Sequence, residues 1–129
     1  MDTVGDFLTR IRNAGMAKHE KVDVPSSKVR VGIADALQRN GYIRSYKVAR
    51  DDKQGIMRVY LRYNEKGNHV IKKLQRVSRP GLRKYVRSTE IPEVRSGFGL
   101  AVLSTNRGIM SGEDAGQQKL GGEFLFQIW

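Results

Sequence analysis

A chain of 129 residues has room for one domain or two small lobes, and its 39% of hydrophobic residues, clustered in periodic segments, can fill a lean core. The net charge of +11 points to a polyanionic partner, and the absence of cysteine excludes disulfides and thiolate metal sites. No apolar run approaches the roughly 18 residues that cross a bilayer, and Met1-Asp-Thr-Val lacks the basic-then-apolar order of a secretory leader, so a cytoplasmic chain without membrane contact is expected.

Val4, Phe7, Leu8, Ile11 and Ala14 recur at helical spacing, which predicts a first helix from Thr3 to Gly15, with Thr3 and Asp6 in the pattern of a capping box. Val22-Asp-Val24 before Pro25 reads as a short extended piece. Ser26-Ser27 then caps a second helix carrying Val29, Ile33, Ala36 and Leu37, closed by Gly41 in a left-handed position. Lys28 and Arg30 fall in its first turn, against the dipole preference for acids, which invites a phosphate contact. Two strands follow, residues 42–50 and 56–63, joined by a hairpin-like loop at 51–55. Met57, Val59, Leu61 and Tyr63 form the core face of the second; Arg58, Tyr60 and Arg62 form the other. That second face fits a nucleic-acid platform and ordinary cross-strand pairing equally well.

The polar turn Asn64–Asn68 is the expected boundary, giving lobes 1–64 and 65–129. Beyond it, residues 70–78 and 82–87 read as strands separated by Arg79-Pro-Gly81, although a bulge or short helical piece fits the first as well. Glu90–Val94 suggests a turn or short helix. Gly97-Phe-Gly99 precedes a buried apolar strand, Leu100–Leu103, which ends in a compact polar tip: Ser104, Thr105, Asn106, Arg107 and Gly108. Ser111 caps a short helix with Glu113 and Asp114 in its first turn, and Gly121-Gly122 is expected to stop it. The apolar end, residues 123–129, reads as a strand inside a sheet. The fold class expected is α+β, with a helix–strand–helix–strand–strand lobe followed by a mainly β lobe with short helices.

From Lys66 to Arg87 there are eight basic residues and no acidic one, the electrostatic footprint of a phosphate backbone. Arg79, Arg83 and Arg107, with Lys28 and Arg30, are the candidate phosphate contacts, which position without specifying sequence. Tyr85 fits either a stacking residue or a half-buried strand residue. Short side chains such as Ser104 and Thr105 lose little rotamer entropy on binding and can reach 2′-hydroxyls and unstacked bases. His19 and His69 sit in no nucleophile–base or metal-ligand pattern, and Ser104 lacks the glycines of a nucleophile elbow, so neither an enzyme nor a cofactor is expected. A standalone translational regulator and a protein scaffold using the acidic first turns are the competing readings.

Pro25-Ser-Ser-Lys28, Arg76-Val-Ser-Arg-Pro-Gly-Leu-Arg83, Ser104-Thr-Asn-Arg-Gly108 with Ile109-Met110, and Gly121-Gly-Glu123 stand in the order and spacing of a known family. Together they closely resemble the bacterial-type ribosomal protein S-eight family of the small subunit, over essentially the whole chain. The resemblance implies two α+β lobes and direct binding to the central domain of small-subunit ribosomal RNA, at a helix with an irregular internal loop. It also implies neighbouring small-subunit ribosomal proteins as partners and, in several bacteria, repression of the operon's own messenger RNA. Ser104, Thr105, Asn106, Gly121, Gly122 and Glu123 inherit the family's main RNA-recognition role. Glu123, repelled by phosphate, would accept from a base amino group or hydroxyl, unless it is a turn carboxylate. The chain departs from the commonest pattern at Asn106, where Ser is usual, and at Gly112, where many relatives carry a charged or larger residue.

Overall fold

A computed structural model describes residues 2–50 and 54–129. Most of the loop expected at 51–55 therefore lies outside the described residues. The chain divides into two compact units, residues 3–71 and residues 72–129 with Asp2. The segment 65–71, assigned from sequence to the second lobe, is grouped with the first unit. Its backbone explains why: Val70 N–H donates to the Arg62 carbonyl at 3.1 Å, and Tyr63 pairs with His69 as an isolated bridge.

In the first unit, α1 (Thr3–Met16) and α2 (Lys28–Arg39) cover one face of an antiparallel sheet ordered β1 (Lys21–Pro25), β3 (Ile56–Leu61), β2 (Ile43–Ala49). The helical stripe Val4, Phe7, Leu8, Ile11 and Ala14 is buried, as are Ile33, Ala36 and Leu37 of α2 and Met57, Val59 and Leu61 of β3. Thr3 is already inside α1, and Asp6 pairs with Arg10 at 3.1 Å instead of closing a capping box. The expected caps of α2 do form. The Ser27 hydroxyl accepts from Arg30 N–H at 3.1 Å, and Gly41, one residue past the C-cap Asn40, holds φ +79°.

The second unit is built on a five-stranded sheet ordered β4 (Leu74–Arg76), β8 (Gly122–Ile128), β6 (Leu100–Thr105), β7 (Gly108–Ser111), with β5 (Tyr85–Val86) also pairing to β8. All described pairings are antiparallel. The terminal strand is thus central. Its register against β6 passes from Val102↔Phe126 to Leu103↔Phe124, so Leu125 is the extra residue of a bulge. The Leu125 carbonyl is taken up by the N–H groups of Val77 and Ser78, and Phe124, Leu125, Phe126 and Ile128 are all buried.

Several boundaries differ from the sequence reading. The strands expected over 70–78 and 82–87 shrink to three and two residues, because the chain leaves the sheet at the Arg79–Leu82 turn, closed by two backbone hydrogen bonds. Glu90–Val94 is not helical; a 3-10 turn follows at Arg95–Gly97, with Arg95, Ser96 and Gly97 all at positive φ. Helix α3 (Gly112–Gln117), capped by Ser111, ends before Gly121, with Lys119 supplying the left-handed residue. Gly121 and Gly122 instead lead into β8. Gly112 is buried, and a Cβ there would lie 2.8 Å from Ile91 Cγ2, so the small residue seats α3 against its neighbours.

Candidate nucleic-acid interface

The polar tip is the turn of the β6–β7 hairpin. Thr105 pairs with Gly108, which leaves Asn106 and Arg107 as a two-residue loop, with Gly108 at φ +111° taking the backbone twist. Sequence reading missed β7, although Gly108 followed by Ile109-Met110 was the available signal. The three small side chains have different fates. The Thr105 hydroxyl donates to the Gly108 carbonyl at 2.9 Å and accepts from Arg107 N–H at 3.1 Å, so it is largely committed to holding the turn. Among the described residues, neither the Ser104 hydroxyl nor the exposed Asn106 amide has a hydrogen-bond partner. Those two groups are the ones open to a ligand.

Register places the other candidates beside them. Tyr85 pairs with Glu123, Glu123 with Ser104, and Ser104 with Ile109, so these four side chains form one row across β5, β8, β6 and β7 on the same face. Tyr85 is 71% exposed, which removes the half-buried alternative and leaves its ring available for stacking. Gly121 and Gly122 allow this convergence. A Cβ on Gly122 would stand 2.2 Å from the Ser104 carbonyl oxygen, and one on Gly121 would stand 2.6 Å from that of Val86. Their contribution is close approach of three strands rather than contact through a side chain.

Glu123 is the centre of a charged network. Its Oε2 accepts from the Ser78 hydroxyl at 2.5 Å and from the Arg83 guanidinium at 3.0 Å, while the Ser78 hydroxyl itself accepts from Lys84 N–H at 3.1 Å. Burial opposes ionisation of Glu123. The bonds from Ser78 and Arg83 and the charges of Arg83 and Arg76 outweigh it, holding the carboxyl below its usual range. The hydrogen bond from Arg83 to Glu123 in turn raises the guanidinium pKa, so both groups are charged at neutral pH. From its place in β8, Glu123 thus fixes Arg83, and the pair is half open to solvent on the Arg83 side. Ser78, fully buried, was not singled out from sequence; only its place two residues before Pro80 and Gly81 hints at a turn role.

The remaining candidates separate by exposure. Lys28, Arg79 and Arg107 are exposed, as a phosphate contact requires. Arg30 is not: it is 6% exposed, and its Nη1 donates to the Pro25 carbonyl at 3.2 Å. Its charge holds the entry to α2, so in that first turn the surface cation is Lys28. Among the described residues no group of three metal-ligating side chains comes together, and no helix is long and apolar enough to cross a membrane.

Comparison with known proteins decides the lineage. The family model described as Ribosomal protein S8 matches residues 2–129. The chain belongs to the ribosomal protein S8 family. It is 64% identical over 129 residues to the small ribosomal subunit protein uS8 of Bdellovibrio bacteriovorus, covering all of both chains. It is 52% identical to the protein of the same name from Geotalea daltonii, over 99% of this chain and 97% of that one. The corresponding Streptococcus agalactiae protein is 48% identical over the same shares. The α+β fold and the motif order read from the sequence agree with that membership.

Proposed function

We propose that this chain binds small-subunit ribosomal RNA directly, reading an irregular helix of its central domain with the row that ends the C-terminal sheet. Family membership makes the chain a structural, non-enzymatic constituent of the small ribosomal subunit, serving translation in the cytoplasm. The observation that carries the finer reading is the pairing of Ser104 with Glu123, which sets an uncommitted hydroxyl between the Asn106 amide, the Glu123–Arg83 pair and the exposed Tyr85 ring.

The chemistry fits a distorted duplex better than a regular one. A-form RNA hides base edges in a deep, narrow groove and presents 2′-hydroxyls in a shallow one. Short groups at the tip of a hairpin reach those hydroxyls without the clash a long side chain meets. Unstacked bases at an internal loop offer a face to Tyr85, while exposed Arg79, Arg83 and Arg107 meet phosphates and orient the protein. The same surface would accept a similar structure in the operon's own messenger RNA, which is the basis for translational repression. Neighbouring small-subunit proteins complete the set of partners.

Hydroxyl-radical footprinting of the chain on protein-free small-subunit rRNA tests the reading. Protection centred on one irregular helix of the central domain is expected. Absence of protection at that helix, or protection spread evenly along duplex RNA, contradicts it. For repression, competition between that helix and the operon leader for one site is expected.

A further inference from the structure

The outer face of the first unit's sheet carries a second charged surface that the C-terminal site does not use. Lys21, Tyr60 and Ser45 lie in one cross-strand row, and Asp23, Arg58 and Lys47 in the next, on the face opposite buried Met57 and Val59. The register slips between Ile43 and Ser45, making Arg44 the bulged residue, and its guanidinium carbon lies 5.2 Å from the Tyr60 ring centroid. The Lys47 ammonium lies 5.9 Å from the same centroid. One tyrosine thus gathers two cations from the neighbouring strand.

The acids on this face do not balance the bases. Asp23 is fully engaged by Arg58, through Nε at 2.8 Å and Nη2 at 3.1 Å. Glu20 reaches Arg44 only at 3.6 Å, with both side chains well exposed, so that pair is weak. Among the described residues, Lys21 and Lys47 have no carboxylate within 4 Å. Arg44 also lines a separate hollow of about 400 Å³ with Lys18, Glu20, Leu61, Arg62 and Tyr63, which Tyr60 does not line. A cation-rich surface around an aromatic ring is complementary to a phosphodiester backbone, and the excess charge selects that ligand over an uncharged one.

We propose that this sheet face is a second nucleic-acid contact, in which Lys21, Arg44 and Lys47 hold RNA phosphates over Tyr60. The inference rests on the ribosomal RNA reading only for the identity of the RNA. Its test uses the full chain and protein-free small-subunit rRNA as the probe. Lys21→Ala/Lys47→Ala is expected to weaken binding roughly ten-fold at moderate salt and to lower the log–log salt slope by up to about two units, with thermal unfolding unchanged. A photo-crosslinker at position 47, carried into assembled subunits, is expected to capture RNA. An unchanged slope, or crosslinks to protein alone, overturns the proposal. Ser104→Ala separates the two sites: if it is silent while the lysine pair lowers the slope, the C-terminal reading fails and this one stands.

Discussion

At the scale of single residues, hydrogen-bond capacity decides which polar side chains are free to act. Ser104 and Thr105 are adjacent and chemically alike, yet Thr105 has committed its donor and one acceptor to the β6–β7 turn. Ser104→Ala should therefore reduce affinity for the cognate RNA with little change in melting temperature. Thr105→Ala should destabilise the unit by about 0.5–2 kcal/mol, the usual range for one or two lost local hydrogen bonds. Thermal denaturation beside a binding titration checks both outcomes; a stability loss at Ser104 and none at Thr105 would reverse the assignment. A second residue-scale prediction concerns His69, whose Nε2 is buried without a partner and whose pKa is lowered by burial. Burial disfavours the charged imidazole in the folded state, whereas the unfolded chain takes up a proton near the ordinary histidine value of 6.5. Stability of the first unit is then complete above that value and falls as pH drops from it toward the folded-state pKa. Denaturant midpoints from pH 8 to 5 should show the decline, and His69→Gln should flatten it.

At the scale of elements, close approach governs the glycines that matter. Gly15 of α1 faces His69, whose Nδ1 would lie 2.0 Å from an added Cβ. Gly15→Ala should cost about 1–3 kcal/mol, because the methyl must displace the half-buried His69 ring. Gly122→Ala, which drives a methyl into the Ser104 carbonyl, should lower both stability and RNA affinity, since the two strands carrying the site must part. These constraints explain what was legible in the sequence. Periodicity located α1 and α2 because each buries an apolar stripe, although Val29 at the start of the α2 stripe is exposed, and Ser27, Gly41 and Ser111 marked helix ends through short-range chemistry. The ends of β4 and β5 were not legible, because they depend on the β8 bulge at Leu125 and on the Arg79–Leu82 turn between the two strands. The burial of Arg30 was equally hidden: first-turn position suggested a surface cation, and only folding brings its guanidinium onto the Pro25 carbonyl.

At the scale of the whole molecule, the proposed function divides the work between the net charge of +11 and one small surface of the C-terminal sheet. On the proposed reading, distributed cations supply salt-dependent attraction to any RNA, and the row in which Tyr85, Glu123, Ser104 and Ile109 pair supplies discrimination. The motifs that carried the family resemblance were legible because they lie in order along the chain. Their meeting was not, since Arg83, Ser104 and Glu123 converge only through the central position of β8. Glu123 also holds Arg83 in place, so Glu123→Gln should loosen Arg83 and, on the proposed reading, weaken phosphate contact. The most direct test of this division is a gel-shift titration of Ser104→Ala/Asn106→Ala on the irregular central-domain helix and on a regular duplex of equal length. The account predicts at least a roughly ten-fold loss on the irregular helix, the cost of about one or two hydrogen bonds, with no change on the duplex. Equal losses on the two RNAs, or none on either, would contradict it.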